Sequence, residues 1–236
     1  NTINYATIKN GTVGILSDGN ADAVTDKLTI TNSKIYNFST FGILGRNTSI
    51  NAQNIVINNA GQSSFGATLG GKYNVTHSTI ANYWSNSFRQ FPALLINNFV
   101  LDENNTAFLA DLTEANFNNC IIYGNDNPEL IVDEIEDNSV IFNFKLTNCL
   151  LRFDNNSGNF SGNNYDFSNT THYENIIFNQ DPNFRNPSAN DLIIGETSAA
   201  NNQGNTTFAT QVPNDILGVN RTASPDLGAY QHVIFE

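Results

Sequence analysis

The sequence is poor in positive charge, cysteine and long apolar runs, and it contains no methionine. Ten Lys and Arg stand against 22 Asp and Glu, which gives a formal net charge of −12 at pH 7. Such a chain does not bind a nucleic-acid backbone by charge alone. Two cysteines are too few for a disulfide framework. No run approaches the roughly 20 apolar residues of a membrane-spanning helix, so none is predicted.

Asparagine supplies the polarity that charged residues do not. The chain has 42 Asn in 236 residues, whereas only 14% of residues are charged. Hydrophobic residues make up 39%, with 17 Phe and 8 Tyr. This composition supports a folded core and excludes a disordered polar tract.

A phrase of the form apolar-x-apolar-x-Asn-small-x-apolar-x-Asn recurs along the chain. Its copies lie at 28–37, 50–59, 73–82, 115–124 and 144–153, with a partial copy, INYATIKN, at the start. We call its middle position the central column: Tyr5, Asn32, Asn54, His77, Asn119, Asn148 and Asn175. We call its last position the exit column: Asn10, Asn37, Asn59 and Asn82.

Alternating apolar residues on both sides of the central Asn predict two short strands that meet at a bend. Asn tolerates the left-handed backbone of such a bend, and stacked Asn side chains are expected to hydrogen-bond to one another. With a third strand after the exit column, the pattern predicts an all-β, right-handed parallel β-helix over 1–180. This is a single-stranded solenoid with about three short strands per rung. An antiparallel sandwich or a barrel is the alternative; a doubly wound α/β fold lacks its helices here.

The repeat also predicts which residues fill the core. One apolar column comprises Ile3, Ile30, Ala52, Val75, Phe117 and Leu146. A second comprises Ile8, Ile35, Ile57, Ile80, Ile122 and Leu151. Cys120 and Cys149 fall in a third column of small residues, where we expect apolar fillers; a stacked disulfide is the alternative. The opening copy lacks its first apolar position, so we interpret residue 1 as a cut, with further rungs or domains upstream.

The last 56 residues differ from the repeat. They contain DPNF (181–184), TSAANNQG (197–204), DILGVNR (215–221) and PDLGAYQ (225–231). This order resembles the closing segment of bacterial extracellular right-handed parallel β-helix proteins of the choice-of-anchor Q type. Asn201 departs from the Asp usual in that family, and Ala200 from a branched apolar residue.

The resemblance implies that 181–236 is a cap and that the protein is exported. Related proteins stand at the cell surface or outer membrane, often with a lipid anchor. A cap would cover an open sheet edge that otherwise adds another chain. We expect Arg221 to hold it through an ion pair with Asp215 or Asp226, with ligand binding as the alternative.

Catalytic patterns are sparse. A polysaccharide lyase needs a basic residue and a cation near the uronate, but Lys34 and Lys72 stand isolated. The motifs of galacturonase-like hydrolases are missing, and nothing marks Asp111 with Glu114 as a glycosidase pair. We therefore expect a non-catalytic chain, with active residues upstream of this sequence as the alternative.

No cofactor is predicted. Calcium binding by the acidic run Asp133, Glu134, Glu136 and Asp137, with Asp126 and Glu129 nearby, is one interpretation. A solvated loop is the other, because the run lacks the spacing of a calcium-binding loop. The histidines have no partners at metal-ligand spacing.

One segment is a candidate binding site. NYWSNSFRQFP (82–92) contains the only Trp, and its aromatic faces beside polar groups suit a sugar ring or a partner protein. The candidate residues are Tyr83, Trp84, Phe88, Arg89 and Phe91. Alternatively, this segment folds down and covers the side of the fold.

These patterns lead to one functional hypothesis with two alternatives. We expect a rigid cell-surface interaction scaffold that binds a protein partner or a glycan, and no nucleic acid. The alternatives are a glycan-binding or glycan-cleaving protein with key residues outside this chain, and a structural component of an outer-membrane assembly.

Overall fold

The computed structural model describes residues 1–21, 24–156 and 158–236. Most of the regular secondary structure in these residues is β-strand, with one short helix, α1 (Thr206–Gln211), and 3₁₀ turns at Asn163–Tyr165 and Pro187–Ala189. The strands are β1 Thr2–Asn4, β2 Thr7–Asp18, β3 Leu28–Thr31, β4 Lys34–Gln53, β5 Val56–Ala60, β6 Phe65–Thr76, β7 Thr79–Asn82, β8 Leu94–Asn97, β9 Phe99–Leu101, β10 Ala107–Leu109, β11 Leu112–Asn118, β12 Ile121–Gly124, β13 Leu130–Asp133, β14 Lys145–Leu151, β15 Tyr173–Phe178, β16 Phe184–Asn186 and β17 Asp191–Ile194.

The predicted right-handed parallel β-helix is wrong, and so is its description as a single-stranded solenoid. Thirteen strands belong to one parallel sheet, and seven of them close a barrel in the order β4, β5, β7, β12, β14, β11, β6 and back to β4. The closure arises because β4 runs for 20 residues instead of breaking into short strands. Its first part pairs with β5 and its later part pairs with β6.

The predicted register of the repeat is confirmed. Thr2–Asn4 pairs with Thr29–Thr31, which in turn pairs with Asn51–Gln53. This alignment continues through β6, β11, β14 and β15, so the column from Ile3 to Leu146 is in register. The second column, from Ile8 to Leu151, is in register through β2, β4, β5, β7, β12 and β14. From the second copy onward these side chains are buried and form the barrel core.

The central column adopts the predicted left-handed bend at every position. All seven residues have φ between 48° and 54°. In the exit column Asn10, Asn37 and Asn59 also have positive φ. Asn82, which directly precedes residues 83–92, does not have a positive φ. Its buried side chain donates to the backbone oxygens of Ala60 and Gln62 and accepts from Ala60 N–H.

The small residues after the central column have a common role. Ser33, Ser78, Cys120 and Cys149 each donate a hydrogen bond to the carbonyl oxygen two residues before them. Cys120 and Cys149 are buried and free, as the filler interpretation predicts, and no disulfide joins them. Burial raises the pKa of the Cys120 thiol.

Residues 181–236 pack against the outer face of β5, β7 and β12. Leu227 lies against Ile121, and Tyr230 lies in a cluster with Val56 and Ala81. Backbone bonds reinforce this packing: Gly228 N donates to Asn119 O at 2.8 Å.

Arg221 anchors this segment, but not through the predicted ion pair. Among the ion pairs of the described residues, none joins Arg221 to Asp215 or Asp226. The guanidinium is 1% exposed and donates to Asn54 Oδ1 at 2.9 Å and to Gly228 O at 3.0 Å. It also contacts His77 Nδ1. The C-terminal segment therefore attaches to the central column itself.

His77 occupies a position of the central column where most copies have Asn, and a hydrogen-bond donor lies against each of its ring nitrogens. Its Nε2 lies 2.9 Å from Asn119 Nδ2, while its Nδ1 faces Arg221. Burial, followed by the charge of Arg221, lowers the pKa of His77 to about 2. The ring is therefore neutral in the folded protein at neutral pH.

We expect Arg221→Ala to lower the free energy of unfolding by about 3 kcal/mol, because Asn54 Oδ1 and Gly228 O lose their buried donor. Urea denaturation measures this loss. The control is Arg185→Ala, which removes a partly exposed ion pair with Asp191 and is expected to cost less than about 1 kcal/mol. Equal losses in the two variants would contradict the anchoring role of Arg221.

His77 also predicts a pH dependence. Its folded pKa lies below the unfolded value of about 6.5, so its stabilising contribution is complete above that value and is lost as the pH falls. The free energy of unfolding should drop by about 2 kcal/mol between pH 7 and pH 5 from this group alone. His77→Asn, which restores the usual residue of the column, should remove that part of the drop. An unchanged pH profile in the variant would show that His77 is not responsible.

Candidate functional site

The structure separates the five residues that the sequence groups as a candidate site. Tyr83 and Trp84 are half-buried and line a groove of about 550 Å³, which we call the Trp84 groove. Phe88 is 86% exposed and Phe91 is 39% exposed, and neither lines this groove. Arg89 points inward and is buried. Of the five, Tyr83 and Trp84 thus line this groove.

The floor of the Trp84 groove is made of amides. Asn59 and Asn37 in the exit column donate to the preceding member at 3.4 and 3.3 Å, and Asn190 donates to Asn37 Oδ1 at 3.1 Å. Trp84 packs over Gly61, and its indole nitrogen donates to Ser87 Oγ at 2.9 Å. Because most of these groups bond to one another, the groove has few free groups for a ligand.

Arg89 is structural. Its guanidinium makes a two-pronged contact with Glu129, at 2.8 Å to Oε2 and 2.7 Å to Oε1, and both side chains are buried. Asp126 lies 3.2 Å from the same guanidinium. Glu129 also accepts from the backbone N–H of Ala93 and of Asp126. Its pKa is nevertheless raised, because the desolvation of the carboxylate exceeds the effect of Arg89.

The acidic run does not converge on one point. Glu134 accepts from Asn164, and Asp137 accepts from Ser139 in a tight turn. Burial raises the pKa of Asp133. Within the described ranges, no group of three or more His, Cys, Asp or Glu side chains is arranged to hold a metal ion. Likewise, no helix of the described residues has the length and apolar content needed to cross a bilayer.

A larger groove, of about 670 Å³, lies on the outer face of the parallel sheet. Two rows of polar side chains line it, in register on neighbouring strands. The first row is Asn51, Asn74, Asn116 and Lys145, and the second is Gln53, Thr76, Asn118 and Thr147. Neighbours within a row stand about 4.8 Å apart. Helix α1 forms one wall with Thr207, Phe208 and Gln211. We call this the sheet-face groove.

Its polar side chains are of two kinds. Asn116 donates to Asn74 at 3.0 Å, Asn74 donates to Glu114 at 2.9 Å and Lys145 pairs with Glu174, whereas the other five have no such bond in the described part of the chain. Among the described residues, no side-chain hydrogen bond engages the amides of Asn51, Gln53 and Asn118 or the hydroxyls of Thr76 and Thr147. In the central column, by contrast, the amides are bonded: Asn54 donates to Asn32, and Asn32 donates to Asn4, the residue before Tyr5, both at 3.0 Å.

The sheet-face groove carries no net charge although the protein is acidic. Its charged lining side chains are Asp26, Lys72, Lys145 and Glu174. Two are positive and two are negative, and Lys145 lies 2.6 Å from Glu174. A neutral, hydrogen-bonding ligand fits this lining better than an ion does.

The sequence contains a pattern that indicates this groove, but none of its residues is among the five candidate binding residues. The x positions before the central Asn are polar in each copy, and the register places them side by side on one face. The helix wall has no comparable signal, since α1 has only six residues and is held by the bonds between Asn205 and Asn119.

Comparisons with known proteins assign no family to this chain. The chain matches no protein-family description. It also has no match among curated proteins.

Because Arg89 is buried against Glu129, we expect its replacement to lower the free energy of unfolding. Arg89→Met leaves a buried carboxylate without its cation and should cost about 3–5 kcal/mol in chemical denaturation. Adding Glu129→Gln should recover part of this loss, because the unpaired charge is then gone while the amide oxygen still accepts from a backbone N–H. If the double variant were less stable than Arg89→Met, the buried pair would not explain the role of Arg89.

Proposed function

We propose that this chain is a non-catalytic binding module for a neutral oligosaccharide, which lies in the sheet-face groove. The observation that carries the proposal is the second polar row, Gln53, Thr76, Asn118 and Thr147, whose side chains, like that of Asn51, have no hydrogen-bond partner among the described residues. Asn, Gln and Thr side chains both donate and accept hydrogen bonds, as sugar hydroxyls do. Repetition of such groups at strand spacing suits a ligand that is itself a repeating polymer.

The half-buried ring of Phe208 supports the same ligand class. It is the aromatic side chain in the lining of the groove, on the wall opposite the polar rows. An aromatic face beside hydrogen-bonding groups suits the apolar face and the hydroxyls of a sugar ring.

An extended peptide fits this groove less well. Peptides commonly bind sheets by adding a strand to an edge, where backbone groups are free. The strands beneath the sheet-face groove, β4, β6, β11 and β14, are paired on both sides. Their backbone N–H and C=O groups are therefore already paired, and only their side chains face a ligand in the groove.

The proposed setting is the cell surface. The closing segment at 181–231 resembles that of exported bacterial surface proteins, and this resemblance supports export and anchoring at the outer membrane. A neutral surface polysaccharide or an extracellular glycan is then the accessible ligand class.

A glycan array followed by calorimetry on the full chain tests this function. We expect a neutral oligosaccharide to bind, and the double variant Gln53→Ala, Asn118→Ala to bind it at least about tenfold more weakly, because two hydrogen bonds are lost. Trp84→Ala is the matched control in the other groove and should bind normally. Mass spectrometry should find the oligosaccharide unchanged after incubation.

Three results would contradict the proposal. If no neutral glycan binds, the function is wrong. If Trp84→Ala abolishes binding and the double variant does not, the site is the Trp84 groove. A shortened glycan would show catalysis.

A further inference from the structure

The second row of the sheet-face groove continues in register onto one more strand at each end, to Thr31 on β3 and to Glu174 on β15. Both of these outer side chains are engaged. Thr31 Oγ1 donates to Asn4 Oδ1 at 2.8 Å, and Glu174 lies 2.6 Å from Lys145 Nζ. Among the described residues, the run of unbonded side chains in this row therefore has a defined length, one on each of β4, β6, β11 and β14.

The unbonded positions of the second row are evenly spaced. The register shifts of the strands concerned fall earlier, before Thr48 on β4 and before Glu114 on β11, so none interrupts the row. Neighbouring strands therefore place successive side chains about 4.8 Å apart, and the row spans about 14 Å across the strands. A ligand that uses the whole row runs across the strands and meets one group on each.

The second row alternates in chemistry and in depth. Strands β4 and β11 carry the amides of Gln53 and Asn118, which are half-buried. Strands β6 and β14 carry the hydroxyls of Thr76 and Thr147, which are 8% and 7% exposed. An amide side chain also reaches further from the backbone than a threonine hydroxyl does. The row thus presents a raised group and a recess in turn, and this pattern repeats every two strands.

The first row contributes less to ligand recognition. Asn116 donates to Asn74, which itself donates to a carboxylate, and Lys145 is held in an ion pair. Asn51 is the member of this row whose side chain has no such bond among the described residues. A ligand is therefore recognised mainly along one edge, the edge that lies on the second row.

We propose that the sheet-face groove binds an unbranched, extended chain of neutral pyranose rings joined by equatorial β-1,4 bonds, with one ring on each of β4, β6, β11 and β14. This inference rests on the proposed function and specifies its ligand. The sugar chain runs across the strands, and one of its edges lies along the second row.

The step and the alternation of the second row select this linkage. Equatorial bonds on opposite sides of a ring keep the chain extended, so each ring advances by close to one strand spacing. Successive rings are turned over, so one edge of the chain presents secondary hydroxyls and a hydroxymethyl group in turn. The amides of Gln53 and Asn118 both donate to and accept from the secondary hydroxyls. The recesses at Thr76 and Thr147 accommodate the hydroxymethyl groups.

A glycan with axial α-1,4 bonds fits the second row less well. Such bonds curve the chain, so its rings depart from a row that is in register over four strands. They also leave the hydroxymethyl groups of successive rings on the same edge. That edge then brings a hydroxymethyl group against each raised amide, and the opposite edge leaves each recess unfilled.

Calorimetry on the full chain with oligosaccharides of one to six rings tests the linkage and the number of rings. The probes are β-1,4-linked oligomers of glucose, mannose and N-acetylglucosamine; α-1,4-linked glucose oligomers are the matched control, because only the linkage differs from the first series. We expect at least one β-1,4 series to bind, with the affinity rising about fivefold per ring up to the fourth ring and less than about twofold beyond it. The α-1,4 tetramer should bind at least about tenfold more weakly than the β-1,4 tetramer.

Thr147→Val tests the last position of the row, because it removes the hydroxyl and keeps the shape of the side chain. The variant should bind the trimer within about twofold of the unmodified chain, whereas the gain from the third to the fourth ring should be lost. Thr29→Val is the control: it is the same change on β3, outside the groove lining, and should keep the full gain. Neither hydroxyl has a side-chain partner among the described residues, so thermal denaturation should find both variants folded.

Three results would overturn the inference. If a neutral glycan binds but its affinity stops rising at one or two rings, or if the α-1,4 tetramer binds as tightly as the β-1,4 tetramer, the inference is wrong and the proposed function stands. The same holds if Thr147→Val keeps the gain from the fourth ring. If no neutral glycan binds, the proposed function and the inference both fail.

Discussion

The fold depends on one backbone constraint: in each copy of the repeat, the central residue adopts the left-handed conformation while the strands around it remain in parallel register. All seven central-column positions satisfy it, including Tyr5 and His77, which lack the Asn side chain. Asn tolerates this conformation better than most residues, and its amide bonds to the neighbouring copy. The bend thus sets the register, and the register aligns every apolar column of the core.

The same alignment creates two kinds of polar surface. At the bends the amides bond to one another and to Arg221, which attaches the C-terminal segment. One and three positions before the bends, side chains of β4, β6, β11 and β14 line the groove that α1 borders. Among the described residues, those of Asn51, Gln53, Thr76, Asn118 and Thr147 have no side-chain partner there. The bonded amides of the bends and the unbonded amides of Asn51 and Asn118 therefore occupy different positions in the repeat. The distinction explains how an Asn-rich chain can be both tightly bonded inside and open to a neutral ligand outside.

Local patterns were predictable and long-range closures were not. The bends at Asn32 and Asn54 and the apolar columns follow from alternation and spacing, because each copy repeats the same local chemistry. Barrel closure was missed because it depends on β4 continuing through bends to pair with both β5 and β6. The burial of Arg89 was not predictable, because its partner, Glu129, lies 40 positions away. The sheet-face groove was visible in part, since its polar rows repeat, but its wall comes from a helix too short to predict.

Side-chain amide NMR during titration with a neutral oligosaccharide tests the central claim most directly, because it separates the two classes of Asn. The account predicts that the NH₂ signals of Asn51, Gln53 and Asn118 shift with the bound fraction, while those of Asn32 and Asn54 stay in place. Shifts confined to the Trp84 groove, at Asn10 and Asn86, or no shift with any neutral oligosaccharide, would contradict it.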